Sequence, residues 1–359
     1  MPGFVGALRR AEAGSRVARH ERGDVRERRL GAMPGRCCFM LSVFPHPSAV
    51  TVSTSPQSPV DLSDIVFTDW VERWLPKSWR PYARLCRLDR PIGTWLTLLP
   101  AIAALVQAAG GLPDLRRLIV FSLGALLMRG IGCTVNDMCD RNFDKHVERT
   151  RFRPLTSGQL TMKNAVWFLL GQLLVCGSLL FFLNDMSRWL AVAVLPFVFI
   201  YPLCKRVTYW PQVVLGICFN WGMLMAWSDT QNHVPLAAIA MWAGAVLWQV
   251  GYDSIYAYVD VRDDRSLGLH STAMRFGDQG KLWIGGFYLG TIVLWAWGGY
   301  AIGLSWAYQV GMAAVAIHLA WQLKVFDIQR PDRNFMLFRA NLWLGALLVA
   351  AALAGTLIR

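Results

Sequence analysis

From residue 91 onward the sequence keeps returning to runs of mostly apolar residues, and these runs decide the fold class. They cover 91–109, 117–137, 165–183, 188–204, 211–229, 234–256, 282–301, 304–323 and 340–358. Each approaches the ~20 residues that a helix needs to cross a bilayer. Backbone N–H and C=O groups inside hydrocarbon must satisfy one another, so the runs are expected to be helices. The expected fold is all-α: a polytopic membrane bundle of about nine transmembrane helices. Composition agrees, because only 16% of residues are charged and 55% are hydrophobic, against about 25% charged in soluble domains.

The net charge of +13 does not point to nucleic acid. Its basic residues lie in the N-terminal tail and between the apolar runs, where the positive-inside rule puts them. Loops joining runs 2–3, 4–5, 6–7 and 8–9 carry Arg141, Lys145, Arg149, Arg151 and Arg153; Lys205 and Arg206; Arg262, Arg265 and Arg275; and Lys324, Arg330 and Arg333. The alternate loops hold little beyond Arg116, Arg117, Arg188 and His233. Nine spans therefore bring every basic loop to the cytoplasmic side and leave the C-terminus outside. Residues 1–60 read as a disordered Arg- and Ser/Pro-rich tail, and 61–90 as an amphipathic segment lying at the membrane interface. Residues 91–359 form the transmembrane domain. The tail holds Glu12, Glu21, Asp24 and Glu27, unlike an acid-poor transit peptide. This favours a bacterial inner membrane, with the mitochondrial inner membrane as the alternative. The eight Cys form no CxxC pair and read as free thiols or small packing residues.

Two acidic clusters interrupt this pattern. The stretch "NDMCDRNFD" closes the second run, and on a helix Asp137, Asp140 and Asp144 share one face, with Asn136 four residues before Asp140. The stretch "YDSIYAYVDVRDD" closes the sixth run and repeats the spacing with Asp253, Tyr256, Asp260, Asp263 and Asp264. Of the last pair, Asp264 is the better aligned with Asp260. Stacked carboxylates repel unless cations lie between them. Mg²⁺ suits such a place, since it binds one or two carboxylates together with phosphates and waters. Asn136, Asp137, Asp140, Asp144, Asp260, Asp263 and Asp264 are the metal candidates, with Asp140, Asp144, Asp260 and Asp264 also the catalytic candidates. Lys145, Arg149, Arg153, Lys205 and Arg206 are candidates for phosphate oxygens. Solvated loop charge explains a single DxxD equally well; two such stripes on one side of the bilayer favour a metal-diphosphate site. A divalent-cation transporter is the rival class, and it would hold its acids near the bilayer midplane.

At these residues the sequence resembles the UbiA-type intramembrane prenyltransferases, most closely those acting on 4-hydroxybenzoate. NDxxDxxxD with a trailing VxRTxxRPL is matched from Asn136 to Leu155, and DxxYAxxDxxDD from Asp253 to Asp264. "RLDRPIGTWL", "YPLCKR" and "FRANLWLG" add to the likeness, which covers about residues 76–359. One position departs: the pattern GxKSTA reads "GLHSTA" here, so His270 stands in place of a lysine.

The resemblance implies a helical bundle around a central cavity with a cytoplasmic-side cap, and Mg²⁺ holding a polyprenyl diphosphate. It also implies prenylation of 4-hydroxybenzoate ortho to its hydroxyl, in ubiquinone synthesis. Other aromatic acceptors, such as naphthoquinone, haem or chlorophyll precursors, stay open. His270 joins the diphosphate candidates. Arg90 is the candidate for the acceptor carboxylate. Asn220 and Tyr256 are candidates for the acceptor site, and Phe219, Trp221, Trp227 and Trp248 for its lining. No obligate protein partner is expected.

Overall fold

The structure, a computed structural model, describes residues 69–147 and 150–358. The tail expected at 1–60, the first residues of the 61–90 segment and Arg149 lie outside the described residues. Among the described residues there are helices and turns and no strand.

Two short helices, α1 (Trp70–Trp74) and α2 (Arg80–Leu85), precede the bundle. Asp69 caps α1 by accepting from the Glu72 N–H at 3.0 Å. Arg84 is buried between the pair and reaches Glu72 at 2.7 Å and Asp69 at 3.9 Å. Trp74 and Trp79 remain exposed, by 75% and 67%.

The bundle follows as α3 (Ile92–Ala109), α4 (Leu115–Asp144), α5 (Met162–Ser178), α6 (Asp185–Ala193), α7 (Leu195–Val207), α8 (Pro211–Gln231), α9 (Leu236–Ser266), α10 (Thr272–Phe276), α11 (Gly280–Ala301), α12 (Trp306–Val325) and α13 (Pro331–Leu357). Each of the nine expected runs falls on this series. The fourth run is split into α6 and α7, because Pro196 in the first turn of α7 cannot donate into the ladder of α6. Asp114, Thr161 and Asn184 accept backbone N–H bonds at the starts of α4, α5 and α6, satisfying donors that a helix start leaves open.

Among the described residues, six segments are long and apolar enough to cross a membrane: α3, α4, α5 with its following turn, α6–α7, α10–α11 and α13. The chain is a multi-pass membrane protein. The other three expected runs, α8, α9 and α12, are helices of similar length with more polar sequences. Their polar residues face protein: Asn220 is 1% exposed, Gln249 1% and Gln322 0%.

Helix α9 packs against α8, α10, α11 and α13. Glycines let the backbones approach, as small residues do in membrane bundles. A Cβ at Gly244 would lie 2.8 Å from the Trp295 ring, and one at Gly345 would lie 2.8 Å from Leu99. At the end away from the acidic clusters, Asp229 accepts from Arg117 Nε and from the Asn184 N–H, both at 2.9 Å. This fastens α4, α6 and α8 to one another. The six described cysteines are free, as the sequence led one to expect.

Candidate active site

The last turns of α4 carry the first cluster. Asp137, Asp140 and Asp144 are 1%, 5% and 7% exposed, so three carboxylates are withdrawn from water on one helix face. Cations compensate them. Asp137 Oδ1 accepts from Arg87 Nη2 at 2.7 Å and from Arg153 Nη1 at 3.2 Å. The same Arg153 nitrogen donates to Asp144 at 2.9 Å. Lys205 Nζ and Arg206 Nη2, from the end of α7, stand 3.7 and 3.6 Å from Asp140. Three buried oxygens of the cluster have no hydrogen-bond donor: Asn136 Oδ1, Asp137 Oδ2 and Asp140 Oδ1. Buried oxygens in that state are costly, and a hard cation relieves the cost.

The second cluster lies on the last turns of α9. Asp253, Tyr256, Asp260 and Asp264 are partly buried, while Asp263 is exposed. Lys205 joins the two clusters, since it feels the charges of both Asp140 and Asp264. Asp253 lies deeper and feels Lys205, Arg129 and Asp260. The loop after α9 closes against α7, where the His270 N–H donates to the Lys205 carbonyl at 2.7 Å. The ends of α4, α7 and α9 therefore meet at one end of the bundle. No three acidic, His or Cys side chains among the described residues converge tightly enough to hold a metal alone. Any ion here must draw the rest of its shell from elsewhere.

The remaining candidates are dispersed. Lys145 is exposed. Arg206 also donates to the Cys139 carbonyl at 2.8 Å and lies 4.9 Å over the Phe143 ring. The His270 ring meets Tyr209 edge-on at 4.4 Å, and its Nδ1 is buried without a hydrogen-bond partner. Arg90 stands 3.9 Å from Asp89. Burial pushes the Asp89 carboxyl up, against the pull of Arg90 and Arg87. Asn220 uses its amide to bridge the Gly216 and Ala245 carbonyls, at 3.0 and 3.2 Å. That amide ties α8 to α9, although its Oδ1 stays without a donor.

Two expected lining residues are corrected. Trp227 and Trp248 are 2% and 0% exposed within the core, and Trp248 donates to Asn341 Oδ1 at 2.8 Å. They pack the bundle and line no site. Tyr256 stands on α9 between Asp253 and Asp260, with its ring 4.6 Å from that of Phe338 on α13.

Sequence reasoning missed three residues. Arg129 lies within the apolar part of α4, its guanidinium 5.1 Å over the Phe219 ring. It fills the space left by Gly93, where a Cβ would come within 2.8 Å of the guanidinium carbon. Its signal was available, because a lone charge in a span usually faces the interior. Arg87 precedes the first span, where a basic residue is ordinary, yet it is buried with φ 61. Backbone strain of that kind persists only where surrounding contacts enforce it, and the Asp137 ion pair is one such contact. Phe338 opens the motif "FRANLWLG", which by itself gave its ring no role.

Comparison with known proteins accords with this geometry. The profile of the UbiA prenyltransferase family matches residues 97–345. The 4-hydroxybenzoate polyprenyltransferase, mitochondrial, of Arabidopsis thaliana is 40% identical over 289 residues, covering 80% of this chain and 71% of that protein. The 4-hydroxybenzoate geranyltransferase 2 of Lithospermum erythrorhizon is 42% identical over 291 residues, covering 80% and 94%. A solved UbiA homolog from Archaeoglobus fulgidus, bound to GPP and Mg²⁺, shares the fold with TM-score 0.60 at 17% identity, over 77% of this chain and 99% of that one.

Proposed function

Because the chain belongs to the UbiA prenyltransferase family, we propose that it is a 4-hydroxybenzoate polyprenyltransferase, moving a polyprenyl group from its diphosphate onto the ring carbon ortho to the hydroxyl. The relatives named for that acceptor support this reading, which puts the chain in ubiquinone synthesis. The observation that carries the site is the meeting of two acidic helix ends around Lys205, with Asn136 Oδ1, Asp137 Oδ2 and Asp140 Oδ1 left without donors.

Those three oxygens, together with Asp260 and Asp264 of α9, would hold Mg²⁺, which when bound neutralises charge on the departing diphosphate. The sparse donor set suits Mg²⁺, which completes its shell with phosphates and waters. Arg153, Lys205 and Arg206 already stand among the carboxylates, and they would grip phosphate oxygens. Lys145 and His270 are assigned to the outer rim of the same ligand; the diphosphate role expected of Arg149 falls outside the described residues. Arg129 is the better choice than Arg90 for the acceptor carboxylate, because it lies inside the bundle near Asp253 whereas Arg90 faces Asp89.

In the reaction, the ring carbon bonds to C1 of the prenyl group as the C1–O bond to diphosphate breaks. The proton on that ring carbon then leaves with the diphosphate. An allylic cation survives only where water is excluded, and the rings of Tyr256 and Phe338 provide an apolar wall beside the acidic stripe.

The exposed Trp74 and Trp79 support an interfacial role for α1 and α2. Of the two expected locations, the mitochondrial membrane has the better support, since relatives from plant, worm and cattle are named mitochondrial. Membranes containing the protein, given radiolabelled 4-hydroxybenzoate and a polyprenyl diphosphate, should form a labelled lipid only with Mg²⁺. Label that stays water-soluble under all conditions would refute the assignment.

A further inference from the structure

Helix α7 ends at Val207, shortly after Lys205, so its last carbonyls have no donor of their own helix to meet. The Lys205 carbonyl finds one elsewhere, accepting from the His270 N–H at 2.7 Å. Just beyond, the Thr272 N–H at the start of α10 donates to Gln212 Oε1 of α8 at 3.2 Å. Ser271 holds the cap position of α10 but makes no capping bond with its side chain, so Gln212 of another helix does that work. The Thr272 side chain reaches α9. There Ser254 donates to the Val250 carbonyl at 2.6 Å, which leaves its oxygen to accept from the Thr272 hydroxyl at 2.7 Å. Gln212, Thr272 and Ser254 are 7%, 0% and 0% exposed, so water does not compete for these bonds. Residues 270–272 thus tie together the end of α7, the start of α8 and the middle of α9. Phe276 of α10 supports the tie, with its ring 5.7 Å from Trp210 in the turn between α7 and α8 and stacked on Trp283 at 5.1 Å.

We propose that residues 270–272 form a clasp that sets Lys205 against the acidic end of α9, and that Gln212 is the positioning residue that holds the clasp shut. The proposal rests on the prenyl-transfer reading above. Lys205 stands 3.7 Å from Asp140 and feels the charge of Asp264, so the place of its backbone decides how one diphosphate is shared between the two ends. The His270 N–H fixes that backbone. Ser254, the next residue after Asp253 on α9, fixes the other side of the clasp. Without Gln212 Oε1, the Thr272 N–H is a buried donor with no acceptor. That state is costly, and the segment relieves it by moving away from α8, which frees Lys205 from its set reach.

The test measures kcat and the two KM values, for geranyl diphosphate and for 4-hydroxybenzoate, in membranes carrying wild-type protein, Gln212→Leu, Gln212→Glu or Thr272→Val. Gln212→Leu should raise the diphosphate KM about five- to ten-fold, the loss of one buried hydrogen bond. The acceptor KM and kcat should stay within about two-fold of wild type, as when binding alone is weakened. Gln212→Glu keeps an acceptor oxygen and should recover most of the loss. Thr272→Val removes the bond to Ser254 and should shift the diphosphate KM the same way, so the test stands even where Gln212→Leu fails to fold. A diphosphate KM unchanged in both Gln212→Leu and Thr272→Val would overturn the clasp. So would both KM values rising together with Gln212→Glu no better than Gln212→Leu, since that pattern reports lost packing. Wild-type protein that transfers no prenyl group would overturn the prenyl-transfer reading, and this inference with it.

Discussion

Arg129 holds a full charge inside a run that is otherwise Leu, Met, Gly and Ile. Such a charge is expensive in a bilayer unless protein or ligand compensates it, and Asp253 and the Phe219 ring supply part of that compensation. If Arg129 takes the acceptor carboxylate, Arg129→Ala should raise KM for 4-hydroxybenzoate about ten-fold or more, since a charged hydrogen bond contributes about 1.5–3 kcal/mol. KM for the prenyl diphosphate should change little, and Arg129→Lys should recover part of the loss. An acceptor KM unchanged in Arg129→Ala would return the carboxylate to another cation. The contrast between Arg129 and the aspartates says what the sequence can reveal. Asp137, Asp140 and Asp144 were legible because their spacing repeats on one helix face and again on α9. Arg129 is a single letter, and averaged over a span its charge disappears. Arg87 is one basic residue among several before the first span, and only the 2.7 Å contact to Asp137 sets it apart. For Trp227 and Trp248 the letters alone do not tell which way a ring in a span points.

Among the elements, α8, α9 and α12 were expected as spans but are too polar for a simple hydropathy test, and the reason is where their polar groups go. Asn341 Oδ1 on α13 accepts from Trp248 Nε1 at 2.8 Å and from Gln322 Nε2 at 3.0 Å, and Gln322 Oε1 accepts from Tyr288 at 2.7 Å. One buried network thus joins α9, α11, α12 and α13, and it gives "FRANLWLG" a structural meaning that the motif alone lacked. Replacing Asn341 by Leu strands the Trp248 and Gln322 donors, at a cost of about 1–3 kcal/mol for each buried group left unpaired. The expected outcome is a lower thermal midpoint in detergent, with the Mg²⁺ requirement unchanged. An unchanged midpoint would mean that the network does not hold these helices together. The break between α6 and α7 was legible in principle from Pro196, yet an apolar run hides a proline from any count based on hydropathy.

At the scale of the whole molecule, the bundle is fastened by Asp229 at one end and opens into charge at the other. The basic loops, the two acidic helix ends and the shared Lys205 all gather at that second end. The fold was legible because membrane crossing restricts the backbone to so few forms. That α4 and α9 both end beside Lys205 was not, because more than a hundred residues separate the motifs and α7 lies between them in sequence. That meeting is the central claim, and binding tests it more directly than turnover does. Purified protein should bind geranyl diphosphate tightly only when Mg²⁺ is present, and Asp140→Ala and Asp260→Ala should each weaken that binding by about ten-fold or more while the thermal midpoint holds. If either variant bound geranyl diphosphate with Mg²⁺ as tightly as the wild type, the two acidic ends would not be holding one diphosphate between them.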